Sequence, residues 1–150
     1  MDNKMDPQAL TELLRASVTL HDRADLSPLM AKWHMGFVDS DFSGMRFTFS
    51  FSPEADMRNP LGTLHGGATA GILDTAMGVA ARCFTRDQTL AVTAELNISY
   101  LRPVPLPATF HVLVTVLKTG AHLIYMRAEA FFPESPEQPL ACAMGTFFGK

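Results

Sequence analysis

From Met45 to Phe51 the chain alternates: Met45, Phe47, Phe49 and Phe51 are separated by Arg46, Thr48 and Ser50. A period of two places the large apolar groups on one face of a strand, which Pro53 closes. The pattern then changes. His65 to Phe84, HGGATAGILDTAMGVAARCF, is Ala-rich, free of proline and apolar nearly all round, which predicts a buried central helix about 30 Å long. Upstream, Asp6-Pro7 followed by Leu10, Leu13, Leu14 and Val18 reads as an N-cap, a proline at the first helical position and one apolar stripe. Ser27-Pro28 opens another helical turn ending near Gly36, and Phe37 to Phe42 reads as a first strand. Residues 54–64, with Asn59-Pro60 and Gly62, form a connecting loop. After Asp87 come four strand candidates, 89–101, 107–118, 121–132 and 139–149, parted by Pro103 to Pro107, Thr119-Gly120 and Pro133 to Pro139.

This order is an α+β pattern with antiparallel neighbours, and a sheet wrapped around one helix is its simplest packing. The Thr119-Gly120 turn is short enough for a hairpin, so the last long strands are expected to pair in sequence order. At 150 residues the chain makes one domain, divided into a helical extension with the first strand over 1–44 and a main body over 45–150.

Composition narrows the partners. The chain is 47% hydrophobic, with 11 Phe and 9 Met, apolar enough for so small a domain to suggest surface covered by self-association. A net charge of −3 with scattered Lys and Arg leaves no basic footprint for nucleic acid. Cys83 and Cys142 are too sparse for a disulfide scaffold or a thiolate metal site and read as small buried hydrophobes. The N-terminal MDNKMDPQALTELL has acids before any apolar run and lacks a signal-peptide core, and no apolar stretch reaches the about 18 residues that span a bilayer. A soluble cytoplasmic protein without membrane or metal partners is the expectation.

Candidate chemistry centres on the long helix. Asp74 stands in its middle, where an ionised carboxylate is costly to bury without partners. At about 100° per residue, Gly67, Ala70, Gly71, Gly78 and Ala81 all lie within about 60° of its direction, so the carboxylate stands in a groove without large side chains. Glycine inside a helix costs up to about 1 kcal/mol relative to Ala, so Gly71 and Gly78 imply a close approach by a ligand chain or a partner subunit. The plainer reading is a hydrogen-bonded structural Asp, with glycines that let the sheet pack tightly. At the helix start, Gly66 and Gly67 lack the side chains that would keep a ligand from the unpaired backbone N–H groups, and such an end can polarise a carbonyl oxygen. His65 either bonds a substrate oxygen or caps the helix.

Gly66 and Asp74 are eight residues apart, about 12 Å along one helix axis. If both serve one carbonyl, where contacts are about 3 Å, they come from different subunits with antiparallel helices. Two equivalent sites per dimer then follow from two-fold symmetry.

The run Asn59-Pro60-Leu61-Gly62-Thr63-Leu64-His65-Gly66-Gly67, followed by Asp74 and by Thr93-Ala94-Glu95-Leu96-Asn97-Ile98-Ser99-Tyr100-Leu101-Arg102-Pro103, resembles the hotdog-fold thioesterases of the PaaI-like branch. The resemblance covers roughly residues 45 to 149, and the pattern N-x-x-G-x-x-H-G-G-x₆-D is far more specific than any one piece of it. It implies an antiparallel sheet wrapped around the central helix, dimers often paired into tetramers, and hydrolysis of acyl-CoA thioesters without metal or cofactor. Position by position, it makes Asp74 the catalytic carboxylate, as nucleophile or general base, and Gly66 the backbone N–H that polarises the thioester carbonyl. His65 and Asn59 then orient the thioester or the attacking water, although Asn59 also reads as a loop cap. Thr93 falls where the family commonly has Ser or Thr beside the carboxylate. Glu95 and Asn97, two apart on a strand, are expected to face the same side as Thr93, without an assigned role.

Thioester hydrolysis needs an activated oxygen nucleophile and stabilisation of a developing oxyanion, which this set supplies. Neither a G-x-S-x-G elbow nor an H-E-x-x-H motif is present in the sequence. The phosphates of CoA call for cations, for which Arg102, Lys118 and Arg82 are the candidates, each of which also reads as a solvated surface charge. The acyl pocket is expected from Leu73, Met77 and Phe residues of neighbouring strands, with Trp33 and Met35 from the extension. A non-catalytic acyl-CoA-binding or sensing protein is the alternative, and a hotdog dehydratase or hydratase a weaker one.

Overall fold

The computed structural model describes residues 6–149, so Asp2 of the leading acidic stretch and Lys150 of the expected 45–150 body lie outside the described residues. Helix α1 spans Pro7–His21, and Asp6 caps it by accepting from the Gln8 N–H at 3.3 Å. Its apolar stripe buries Leu14 and Val18. A single helical turn, α2 (Pro28–Ala31), leads through a Trp33 that is only 3% exposed into β1 (Gly36–Asp41) and β2 (Arg46–Phe51). The expected alternation holds in β2: Phe47, Phe49 and Phe51 are fully buried, while Thr48 and Ser50 are half-buried on the other side.

The central helix α3 spans Gly66–Ala81 and is continued by a 3₁₀ turn over Arg82–Phe84, so the predicted 65–84 segment is helical from Gly66 on, with its last turn tightened. Strands β3 (Val92–Tyr100), β4 (Phe110–Thr119), β5 (Leu123–Phe131) and β6 (Ala141–Phe148) follow. They are the four predicted strands, shortened at their ends except that β4 runs one residue further, to Thr119. The stretch before β3 is taken up by a 3₁₀ turn at Arg86–Gln88, with positive φ at Asp87 and Gln88.

All six strands form one sheet in the order β1-β2-β4-β5-β6-β3, and each neighbouring pair is antiparallel. The β4–β5 hairpin closes as the Thr119-Gly120 turn predicts, with the Gly120 N–H donating to Leu123 O at 2.8 Å. Pairing in sequence order holds for β4, β5 and β6 and fails for β3, which crosses to the far edge and pairs with β6. The sheet lies against α3, whose Ile72, Leu73, Ala76, Met77 and Ala80 are fully buried among Phe47, Val112, Val114, Met126 and Phe147. Among the described residues no helix is long and apolar enough to cross a membrane.

Candidate active site

The start of α3 is fixed by its neighbours before it begins. His65 N–H donates to Met57 O at 2.9 Å and Leu64 N–H to Val104 O at 2.8 Å, which ties the incoming loop to the segment after β3. His65 is the N-cap, and its Nδ1 accepts from the Gly67 N–H at 2.9 Å. The capping role is therefore the one its ring performs here, and the Gly67 N–H is occupied by it. Gly66 is the first helical residue, so its N–H has no acceptor within the helix. Its carbonyl oxygen accepts from the Tyr100 hydroxyl at 2.9 Å.

Asn59 closes its own loop. Its Oδ1 accepts from Leu61 N–H at 3.0 Å and Thr63 N–H at 3.2 Å, and its Nδ2 donates to Thr63 Oγ1 at 2.9 Å. One amide hydrogen remains for a ligand. Asn59 also lines a cavity of about 330 Å³ together with Gly66, Tyr100 and Arg102.

Asp74 is half-buried on the outward face of α3. Thr93 Oγ1 donates to its Oδ1 at 2.5 Å, as the sequence resemblance implied for a Thr beside the carboxylate. With Oδ1 held, Oδ2 has no hydrogen-bond partner among the described residues, which leaves it for taking a proton from water or attacking a carbonyl carbon. Of the small residues expected around it, Ala70, Gly71 and Gly78 are likewise half-buried and Gly67 is exposed, but Ala81 is fully buried and ends the groove. What approaches Gly71 is this chain's own Trp33: a Cβ at Gly71 would lie 2.7 Å from the indole Cη2.

The placement of β3 corrects one expectation. A bulge between Thr93 and Glu95 shifts the register, so Thr93 pairs with Phe147 while Glu95 pairs with Thr146 and Asn97 with Met144. Directly opposed residues share a face of the sheet. Thr93 therefore looks to the helix side with the buried Phe147, and Glu95 and Asn97 look to the other, because the extra residue reverses the alternation. The same reversal brings Tyr100 to the helix side, onto Gly66. Straight alternation from Thr93 puts Tyr100 on the wrong face, so the sequence carried no signal for it.

The remaining candidates separate. Arg102 lies on the cavity beside Gly66, with its guanidinium donating to Pro139 O at 2.7 Å. Arg82 sits at the other end of α3, donating to Gln88 O at 2.7 Å and to Ser17 Oγ at 2.8 Å. Lys118 is exposed near the end of β4 away from Phe110, a residue of the cavity wall. Leu73 and Met77, expected on the acyl pocket, are instead fully buried in the core, and Met77 packs so close to Gly145 that a Cβ there would meet its sulfur at 2.9 Å. Trp33, by contrast, does line a second cavity, of about 320 Å³, on the other flank of the helix start. Burial pushes the Cys83 thiol up to about 12, so it stays protonated and unreactive near neutrality, in keeping with a packing role.

Comparison with known proteins bears on this geometry. Human acyl-coenzyme A thioesterase 13 is 35% identical over 72 residues, 48% of this chain and 51% of that one, so the chain spans about half the length of the curated relatives it matches. The solved structure of a phenylacetic acid degradation-related protein from Ralstonia eutropha JMP134 superposes with a TM-score of 0.76 at 17% identity, over 93% of this chain and 98% of the other. That of a Streptococcus mutans protein bound to acetyl-CoA gives 0.67 at 19% identity, over 77% and 88%. At such identities the two likenesses carry the fold, the hotdog arrangement of a sheet around one helix. The model of one family, described as Thioesterase superfamily, matches residues 61–136, and this span holds Gly66, Asp74, Thr93, Tyr100 and Arg102. With half its length covered by that match and its helix and sheet disposed as the fold requires, the chain belongs to the thioesterase superfamily.

Proposed function

We propose that the protein hydrolyses acyl- or aryl-CoA thioesters to the free acid and CoA, using Asp74 of one subunit and the Gly66 N–H of another. The observation that carries the reading is the Thr93–Asp74 hydrogen bond of 2.5 Å on the open face of a helix whose first N–H is unpaired within it. Family membership supports the reaction class, and the acyl-coenzyme A thioesterase named among the relatives supports the leaving group.

In the general-base form, Asp74 takes a proton from water as its oxygen bonds to the thioester carbon, and negative charge gathers on the carbonyl oxygen. The Gly66 N–H, strengthened by the helix dipole, stabilises that charge. Collapse breaks the C–S bond, and the proton held by Asp74 passes to the CoA thiolate. In the nucleophilic form, Asp74 attacks the thioester carbon and the C–S bond breaks to release the CoA thiolate, which takes a proton from solvent. Water then hydrolyses the mixed anhydride to the free acid and the Asp74 carboxylate. Both use the chain's own residues and call for no metal or cofactor.

The separation of about 12 Å between the two groups along α3 requires a second subunit. Its docking surface is supported by the exposed edge strand β3: Val92 is 60% and Tyr100 56% exposed, and Tyr100 lies on the helix side, against the start of α3. An unpaired edge next to exposed apolar groups is a surface that a second copy covers.

Two single variants and their mixture test this reading. Asp74→Asn is expected to lower turnover at least about 100-fold, the scale of a lost general base. Gly66→Pro removes the N–H but suits the first helical position, and the extended backbone of His65 (φ −61, ψ 137) tolerates a following proline. Co-refolded one to one, the two inactive proteins are expected to regain about a quarter of wild-type activity, because half the dimers are mixed and each holds one intact site. Zero recovery places both groups within one chain and sinks the shared site. A wild type that binds acyl-CoA yet releases no thiol is a binding protein instead.

A further inference from the structure

We propose that Trp33 ends the acyl pocket and restricts the protein to compact acyl groups, short chains or a single ring; this rests on the acyl-CoA reading above. The second cavity, about 320 Å³, is walled by Leu29, Trp33, Met57, Ala68 and Gly71, and it shares His65 and Gly67 with the candidate site. Asp56 and Arg58, both exposed, are its charged lining. The other cavity, across the helix start, is also largely apolar, walled by Leu64, Leu101, Val104, Phe110 and Leu140. Its one charged residue, however, is the cation Arg102, beside Asn59, which suits the phosphate-bearing part of CoA, whereas Asp56 offsets Arg58 on the Trp33 side. The apolar acyl group is thereby assigned to the Trp33 side.

The depth available follows from the helix. A carbonyl polarised at Gly66 lies five residues from Gly71, about 7.5 Å along the axis. At Gly71 the path is closed by the indole edge, since a Cβ there would meet Cη2 at 2.7 Å and Cζ2 at 2.8 Å. With C–C bonds of about 1.5 Å, that length holds about five or six chain carbons or one ring. The wall is not free to swing aside. Trp33 is 3% exposed, its Nε1 donates to Met57 Sδ at 3.1 Å, and its carbonyl oxygen accepts from Ser52 N–H at 2.9 Å. The N-terminal segment thus sets the reach of a pocket whose other walls belong to the loop before α3 and to α3 itself.

The test uses non-hydrolysable S-alkyl-CoA thioethers from two to fourteen carbons, titrated calorimetrically into the full chain, alongside turnover of the matching thioesters. Wild-type affinity is expected to rise with each methylene and stop rising near about six carbons. In Trp33→Ala the break moves to longer chains, and the dodecyl-to-hexyl affinity ratio rises about tenfold or more, the scale of a few methylenes in an apolar pocket. Leu29→Trp works in the opposite sense at a wall residue that is 60% exposed, so it holds the test if the buried substitution does not fold. It is expected to lower hexyl affinity relative to ethyl by about tenfold. A wild-type break absent or far beyond six carbons, or ratios unmoved in a folded variant, overturns the role of Trp33. Absence of all binding overturns it together with the acyl-CoA reading. Normal chain-length breaks without any thiol release leave the wall in place and overturn hydrolysis.

Discussion

The two faces of α3 share one backbone and meet opposite fates. Inward, Ile72, Leu73, Ala76, Met77 and Ala80 have no exposed surface and fill the hollow of the sheet. Outward, Gly67, Ala70, Gly71, Asp74 and Gly78 remain half-buried or exposed, a stripe on which the acid's helical neighbours are all Gly or Ala. The inner face is selected for volume and the outer for access. The sheet repeats the contrast: β4 buries alternate residues all along its first half, whereas β3, at the edge, is exposed over most of its length on both faces. The candidate site residues Asp74 and Gly66 lie on the side where packing within one chain is incomplete, the side on which the proposed reading places a second chain and a substrate.

Substitutions can break that contrast. The largest effect on stability belongs to the inner face: Leu73→Ala is expected to cost about 2–5 kcal/mol, the range for a leucine removed from a packed core. Urea unfolding followed by circular dichroism reads it, with a lower midpoint and an unchanged slope. A loss below about 1 kcal/mol would mean that Leu73 lines a space open to ligand after all, as its pocket role supposed.

A smaller effect is expected at Tyr100, where the hydroxyl holds the first carbonyl of the helix. Tyr100→Phe removes one hydrogen bond of about 1 kcal/mol and keeps the ring. As a positioning residue it should show in kcat, reduced about fivefold, with KM little changed. An equal rise in KM with kcat intact would make Tyr100 a binding contact and no more.

The smallest effects separate two glycines on the outer face. A Cβ at Gly78 would meet Phe147 at an ordinary 3.5 Å, so Gly78→Ala should stabilise the isolated subunit by about 0.5–1 kcal/mol through helix propensity. Gly71→Ala should go the other way, because its methyl drives into the Trp33 ring. Thermal melts at several protein concentrations distinguish subunit stability from association. If Gly78→Ala instead weakens association, that glycine is where the partner helix comes close.

Much of the fold was legible because it depends on local periodicity. The alternation around Phe47, Phe49 and Phe51, the proline-free apolar run after His65 and the capping pair Asp6-Pro7 each specify an element from within a few residues. Asp74 was legible as an acid among small residues, and its Thr93 partner through resemblance to a family. The crossing of β3 to the far edge was not, because antiparallel edges offer similar hydrogen-bond ladders and sequence proximity favours the nearer one. Nor was the bulge beside Ala94, a single unpaired residue that turns Glu95 and Asn97 away and Tyr100 inward. Leu73 and Met77 were assigned to a pocket on polarity alone, which cannot distinguish a cavity wall from a filled core.

The sequence by itself determined which segments become strands or helices, which acid stands among small residues, and where an unpaired helix start would fall, since these follow from periodicity, propensity and capping along one stretch of chain. Only the tertiary structure decided what faces that acid and what closes on Gly71. Those depend on Thr93, Tyr100 and Trp33 arriving from distant parts of the chain, and their arrival is set by strand order, one bulge and the packing of an N-terminal segment.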